Sequence, residues 1–340
     1  MKIAAIATAL LAVAGVLGSA QAALAQPAGS PAPRTIASRF SAEPSPAGGP
    51  GLGHAAPPPA RGRYRTISVP HATQTTPEDV NNSGMIVGCY QPASGPTRGF
   101  TDRGGRFTTI TDPAASHRSQ VRGCVLGANS RGVLVGYYLS ASGAERAFVD
   151  RGGHFTPVDA PGAGRRPGQG TIAVDINDSG AVAGYYTGRR GKHGFVFRHG
   201  RFTTVRYPPG SNSTWASGIA DSGTIAGGYT SRRGVLTGFL DSGGAFSPIA
   251  VPGASTGRGK GTAPACISKH TGLVVGNYWR RGRSSRPVGF SDQHGVYRTL
   301  SDPAATQGTA PQCGNDSGQI VGVYYTGGGA PHGFEFTPRH

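Results

Sequence analysis

The chain has 340 residues, with 33 Lys and Arg against 16 Asp and Glu, a formal charge of +17 at neutral pH, and 57 Gly and 27 Pro. So few carboxylates argue against chemistries built on carboxylate-rich metal loops or paired acids. That much Gly and Pro without periodicity would mean low complexity, but here they recur at fixed offsets, which excludes that reading.

Residues 1–25 read as an export signal. Lys2 gives the positive start, Ile3 to Gly18 a short apolar run, and Ala23 to Ala25 a small-x-small cleavage pattern. The run is shorter than the roughly 20 residues a membrane span needs, and no second one follows. Residues 26–60, with Pro44 to Pro46 and Pro57 to Pro59, have too little apolar area to offset their ordering entropy and are expected to be a disordered linker.

From residue 61 to 340 one pattern recurs six times, about 47 residues apart on average: Gly, any residue, an aliphatic, Val or Ala, Gly, any residue, Tyr. Its copies run Gly84 to Tyr90, Gly132 to Tyr138, Gly180 to Tyr186, Gly223 to Tyr229, Gly272 to Tyr278 and Gly318 to Tyr324. Each unit holds four strand signals. In the third, Thr171 to Ile176 is strand one, Ala181 to Tyr186 strand two, Gly194 to Arg198 strand three and Arg201 to Val205 strand four, with His199-Gly200 as a two-residue hairpin turn. Strand three carries Phe100, Phe148, Phe195, Phe239, Phe290 or Phe334, and strand four Tyr64, Phe107, Phe155, Phe202, Phe246 or Tyr297.

A four-stranded unit of this length predicts an all-β, six-bladed β-propeller with blades at 78–110, 121–158, 171–205, 215–249, 264–300 and 310–336. The last blade lacks its fourth strand, and residues 64–69 match that strand. Their pairing would close the ring and leave no exposed edge. The blade order puts Cys89 beside Cys124 and Cys266 beside Cys313, so pairs 89–124 and 266–313 are expected, with four buried free thiols as the alternative.

His193-Gly194-Phe195 and His332-Gly333-Phe334, together with Asn177-Asp178-Ser179-Gly180, resemble the bacterial extracellular repeats called HAF repeats. The likeness covers the whole repeated region. It implies export and a repeated β architecture, and no particular activity. Four of the six copies lack the His, so the triplet is not read as a chemical site.

No nucleophile elbow, zincin helix, P-loop or sialidase box occurs, and no cofactor or metal site is expected. Asp178, Asp221 and Asp316 suit Asx turns. The Tyr closing each copy is expected to pack between blades, because a residue required in every blade serves packing. Trp215 and Trp279 each occur once and are candidate stacking residues.

Charge carries the functional expectation. Loops after strands two and four emerge on one face, and they hold Arg165, Arg166, Arg189, Arg190, Lys192, Arg232, Arg233, Arg258, Lys260, Arg280, Arg281, Arg283 and Arg286, with Arg98, Arg118, Arg122 and Arg146 beside them. Arg forks suit phosphate, sulfate and carboxylate. The expected function is therefore a secreted, monomeric, non-enzymatic module that holds an anionic polymer: a cell-wall polymer, an acidic polysaccharide or extracellular nucleic acid. The rivals are a hydrolase or lyase acting on an acidic glycan at the channel mouth, and a protein–protein scaffold. The channel-mouth enzyme is disfavoured by the scarcity of Glu in these loops.

Overall fold

The computed structural model describes residues 56–116, 120–206, 211, 213–282 and 286–339. The expected export signal and most of the linker, together with Arg118 and Arg283, lie outside the described residues. The chain is all-β. After β1 (Gly62–Ile67), the first unit holds β2 (Ala72–Val80), β3 (Ile86–Pro92), β4 (Arg98–Arg103) and β5 (Arg106–Ile110). The second holds β6 (Cys124–Ala128), β7 (Leu134–Leu139), β8 (Glu145–Arg151) and β9 (His154–Pro157). The third has β10 (Gly170–Ile176), β11 (Val182–Gly188), β12 (Gly191–Arg198) and β13 (Arg201–Val205), and the fourth β14 (Thr214–Ile219), β15 (Ile225–Thr230), β16 (Leu236–Ser242) and β17 (Ala245–Ile249). The fifth has β18 (Thr262–Ile267), β19 (Val274–Trp279), β20 (Pro287–Gln293) and β21 (Val296–Leu300), and the sixth β22 (Gly308–Gly314), β23 (Ile320–Tyr325) and β24 (Pro331–Pro338).

Within each unit the strands pair antiparallel in chain order, and β1 supplies the fourth strand of the sixth. Tyr64 lies 5.6 Å from Phe334, the contact that Phe107 makes with Phe100 at 5.7 Å in the first unit. Successive units pack on one another, and β2 packs on β22, β23 and β24. One departure from six separate sheets occurs. A single parallel bridge from Gly170 to Glu145 joins the second and third units into one eight-stranded sheet. Gly170 allows it, since its φ of 138° is closed to other residues and its backbone lies against Glu145.

The repeated residues explain the packing. All six strand-three Phe side chains are fully buried. The Gly facing each of them is demanded by close approach: a Cβ at Gly136 would collide with the Cys124 carbonyl oxygen. Of the repeated Tyr residues, Tyr278 is fully buried, and Tyr186 and Tyr324 lie against His193 and His332 with ring centroids 5.2 and 5.1 Å apart. The His of the two His-Gly-Phe triplets is thus a cross-strand partner of a packing Tyr.

Two expected boundaries shift. The first unit begins at Ala72, six residues ahead of expectation, because β2 is longer than the strands equivalent to it. Residues 57–60, expected in the linker, run along β21: Ala60 N–H donates to the Thr299 carbonyl at 2.8 Å and Thr299 N–H to that of Pro58 at 2.8 Å. Prolines fit this outer edge, where a missing donor costs nothing. Both expected disulfides form, Cys89–Cys124 and Cys266–Cys313, each with Cα atoms 5.0 Å apart.

Candidate functional site

In every unit the register between the first two strands slips at one equivalent place, and the longer β2 slips a second time at Ala72/Gln74. The equivalent slips fall at Pro77/Asp79, Val125/Gly127, Ala173/Asp175, Ala216/Gly218, Pro264/Cys266 and Pro311/Cys313. Such bulges leave one residue outside the ladder and re-aim it. The six released residues, Glu78, Leu126, Val174, Ser217, Ala265 and Gln312, all line one cavity. The repeated backbone therefore delivers one variable side chain per unit to a common space.

A second layer comes from the unspecified residue between Gly and Tyr of the repeated pattern: Cys89, Tyr137, Tyr185, Gly228, Asn277 and Val323. Tyr185 and Asn277 line the cavity. Gly228 faces Trp215 across β14 and β15, and a Cβ there would strike the indole ring, so the missing side chain makes room for the Trp. Trp215 and Trp279, expected as stacking residues, are only 5% and 4% exposed. They line the cavity in one apolar cluster with Leu236, Ala263 and Tyr185 instead of standing on the loop face.

Burial also tunes the ionisable groups here. It pushes the Glu78 carboxyl well above its ordinary range, with Asp79 adding to the effect. Burial raises Glu145 to about 7 and lowers Lys192 to about 8, and the Lys192 ammonium lies 4.3 Å from the centroid of the Tyr185 ring. Glu78 reaches the cavity from a bulge, outside the loops in which Glu is scarce, and Glu145, at the start of β8, lies outside the cavity lining. Glu78 escapes a reading of the sequence because strand one appears to start at it, and only the bulge turns it inward.

Where Asp79 and Asp175 line the cavity, a buried ion pair seals the wall. Lys269 Nζ lies 2.5 Å from Asp175 Oδ1, with both side chains almost wholly buried. Asp175 and Asp79 also accept backbone N–H bonds from Ile219 and Ala128, each at 2.8 Å, which ties their units to the next. Beyond this seal, at the turns, His270 lies 2.7 Å from Asp316 and 3.1 Å from Asp221. Although burial opposes it, backbone N–H bonds from Thr271 and His270 hold the Asp316 carboxyl well below the usual range. The Asx geometry expected of the turn aspartates belongs instead to the Asn before them, as where Asn315 Oδ1 accepts from the Ser317 and Gln319 N–H groups. The aspartates accept N–H groups of the neighbouring units: Asp316 from His270 and Thr271, Asp221 from Asp178, and Asp178 from Ser130.

On the loop face the structure brings together part of the predicted cationic set. Arg165, Arg166, Arg189 and Arg190 line one groove with Tyr186 and His193, and none of its lining residues is acidic. All four arginines are exposed, and none is ion-paired among the described residues. The groove exists because Gly164 N–H donates to the Thr187 carbonyl at 2.9 Å, which holds the two arginine loops side by side. A second group forms where Gly259 N–H donates to the Gly234 carbonyl at 2.7 Å and Ala254 pairs with Arg280. That arrangement gathers the loops of Arg232, Arg233, Arg258, Lys260, Arg280 and Arg281. Arg286 is drawn away, donating to the Thr306 carbonyl at 2.7 Å. Lys192 belongs to the cavity, and Arg146 is paired with Asp159 at 2.5 Å.

No protein-family model and no curated protein matches the chain. Among solved structures it is similar to a protein of unknown function from Dyadobacter fermentans, at 12% identity with a TM-score of 0.51, over 83% of this chain and 100% of that one. It is also similar to the Aleuria aurantia lectin, described as a six-bladed β-propeller with a fucose recognition mode, at 12% identity and a TM-score of 0.46, covering 81% of this chain and 98% of the lectin. AofleA from Arthrobotrys oligospora aligns at 14% identity and a TM-score of 0.47, over 78% of this chain and 84% of its own. At such identities the likeness is one of fold.

Proposed function

We propose that this chain is an exported binding module, a closed six-bladed β-propeller whose basic loop face holds an anionic polymer. Ring closure is supported by the β1–β24 pairing and the packing of β2 on the sixth unit. Export is supported by the N-terminal pattern and by two disulfides, which suit an oxidising compartment. The resemblance to HAF repeats points the same way.

The observation that carries the reading is the groove of Arg165, Arg166, Arg189 and Arg190, four exposed guanidinium groups with no acid among the groove's residues. Guanidinium forks bind sulfate, phosphate and carboxylate in bidentate fashion, and clustered like charge raises the local concentration of a polyanion. The second group of cations extends the surface over which a chain could be followed. Binding is favoured over chemistry on this face because general acid–base catalysis needs a positioned acid and base, and the groove holds no carboxyl, only His193 lying against the packing Tyr186.

Retention on a heparin column, eluted with a salt gradient, tests it. The wild-type chain should elute well above physiological salt, and the Arg165→Ala, Arg166→Ala, Arg189→Ala, Arg190→Ala variant should lose at least about tenfold in affinity, ~1.4 kcal/mol. Equal elution of the two proteins, or elution of both in low salt, would refute the reading.

A further inference from the structure

The cavity at the bulges has no role in the loop-face reading, and it holds two polar atoms without partners. Trp215 Nε1 and Asn277 Oδ1 are buried and unbonded, and both residues line the cavity. One is a donor and the other an acceptor. Leaving such groups unpaired costs ~1–3 kcal/mol each, so native structures rarely tolerate it without a ligand or water to answer them.

We propose that this cavity is a binding site for a neutral, hydroxylated ring the size of one pyranose unit. A hydroxyl group both accepts and donates, so one kind of group answers Trp215 Nε1 and Asn277 Oδ1 together. The flat walls of Trp215, Trp279 and Tyr185 offer the C–H face of such a ring a broad apolar contact. Ser217, Gln312 and Glu78, released by the bulges, add polar groups to the wall around it.

Charge argues for neutrality. The wall carboxyls offer an ion no free partner, since Asp175 and Asp79 answer Lys269 and burial favours the neutral form of Glu78. A cation would meet Lys192 and the indole N–H of Trp215. A purely apolar guest would leave both orphan atoms unanswered. The position of the site also favours recognition over packing. The bulge residues, with Tyr185 and Asn277, come from the two places in the repeat where the six units differ, and Trp215 and Trp279 each occur once, whereas the strand-three Phe that packs the units is the same in all of them.

The chain contains only two tryptophans, and both line this cavity, so its intrinsic fluorescence reports on the site directly. Titration with a panel of neutral methyl hexopyranosides and methyl pentopyranosides should give a saturable change in emission for at least one member. The matching uronic acid and amino sugar should bind at least about tenfold more weakly, a difference of ~1.4 kcal/mol. Asn277→Leu should abolish the response. Asn277→Asp, which keeps an acceptor of the same shape, should retain part of it and so separates lost recognition from lost folding. The four-arginine variant should respond as the wild type does, and Asn277→Leu should still be retained by heparin, which keeps this site apart from the groove. No saturable response to any neutral glycoside, the mark of a cavity that holds water alone, would overturn the proposal. A preference for the charged analogues, or an unchanged response in Asn277→Leu, would do the same.

Discussion

Lys269 stands where four other units place an Asn. Asn81, Asn129, Asn177 and Asn315 each donate a side-chain N–H to the backbone of the neighbouring unit, at 2.8, 3.2, 3.0 and 3.1 Å. The fourth unit has Ala220 at this position and has no such side-chain donor. Lys269 spans the gap by reaching Asp175, two units away, and the Ile219 carbonyl at 3.5 Å. Burial pulls the Lys269 ammonium down, yet Asp175 and Asp79 more than offset it and hold the group above its usual value. Removing the cation would strand two buried carboxyls. Lys269→Met should therefore destabilise by ~3–5 kcal/mol in urea denaturation at pH 7, and Lys269→Met with Asp175→Asn should recover part of the loss. If the single variant unfolds at the wild-type midpoint, the seal is not structural.

Strand β1 closes the sixth unit with contacts of several kinds. Tyr64 lies 5.0 Å from Phe336 by ring centroids, Arg65 pairs with Glu335, and Ile67 is buried. Deleting residues 61–70 would uncover the whole edge of β24, an aggregation template. A loss of at least about 3 kcal/mol is expected, the scale of removing a buried large side chain, and a thermal melt matching the wild type would contradict the pairing. This element was legible in the sequence because its aromatic alternation matches strand four and nothing else in the last unit does. The disulfides were legible for the same reason, since repeat register puts each pair in neighbouring units. The cavity was not. A bulge shows no signature in Glu78, Leu126, Val174, Ser217, Ala265 and Gln312, which share no chemistry, and the eye is drawn to the residues that recur. What recurs is packing; what varies at Cys89, Tyr137, Tyr185, Gly228, Asn277 and Val323 faces the interior. Trp215 and Trp279 are singular in the sequence, but only the missing side chain at Gly228 shows why the Trp215 indole can be buried there.

At the scale of the whole molecule, the buried ionisable groups in and beside the cavity set how stability varies with pH. Glu78 and Glu145 hold their protons in the folded chain well past the point at which they release them when unfolded, mainly through burial, with the Glu145 carboxyl at about 7. Asp79 is shifted the same way. The folded state therefore binds more protons than the unfolded one from about pH 4.5 upward, so these groups make stability fall as pH rises through 7. Lys192, lowered to about 8, acts in the opposite sense at higher pH: between 8 and its ordinary value the folded chain binds fewer protons, and stability rises. Carboxyls held low in the folded state, Asp316 among them, lower stability again when the pH drops below the normal carboxylate range. The +17 charge adds self-repulsion as carboxyls protonate, so the absolute melting curve mixes several effects. A difference between variants isolates the cavity. Glu78→Gln with Glu145→Gln removes two groups whose burial disfavours ionisation, a cost that is present at pH 8, where the unfolded chain has released both protons, and absent at pH 4. Relative to the wild type, the variant should gain ~1–3 kcal/mol between those two pH values, the scale of relieving poorly solvated charge, read from paired urea titrations. A difference that stays flat across the range would mean that both carboxyls are solvated and that the cavity is wetter than its apolar wall implies.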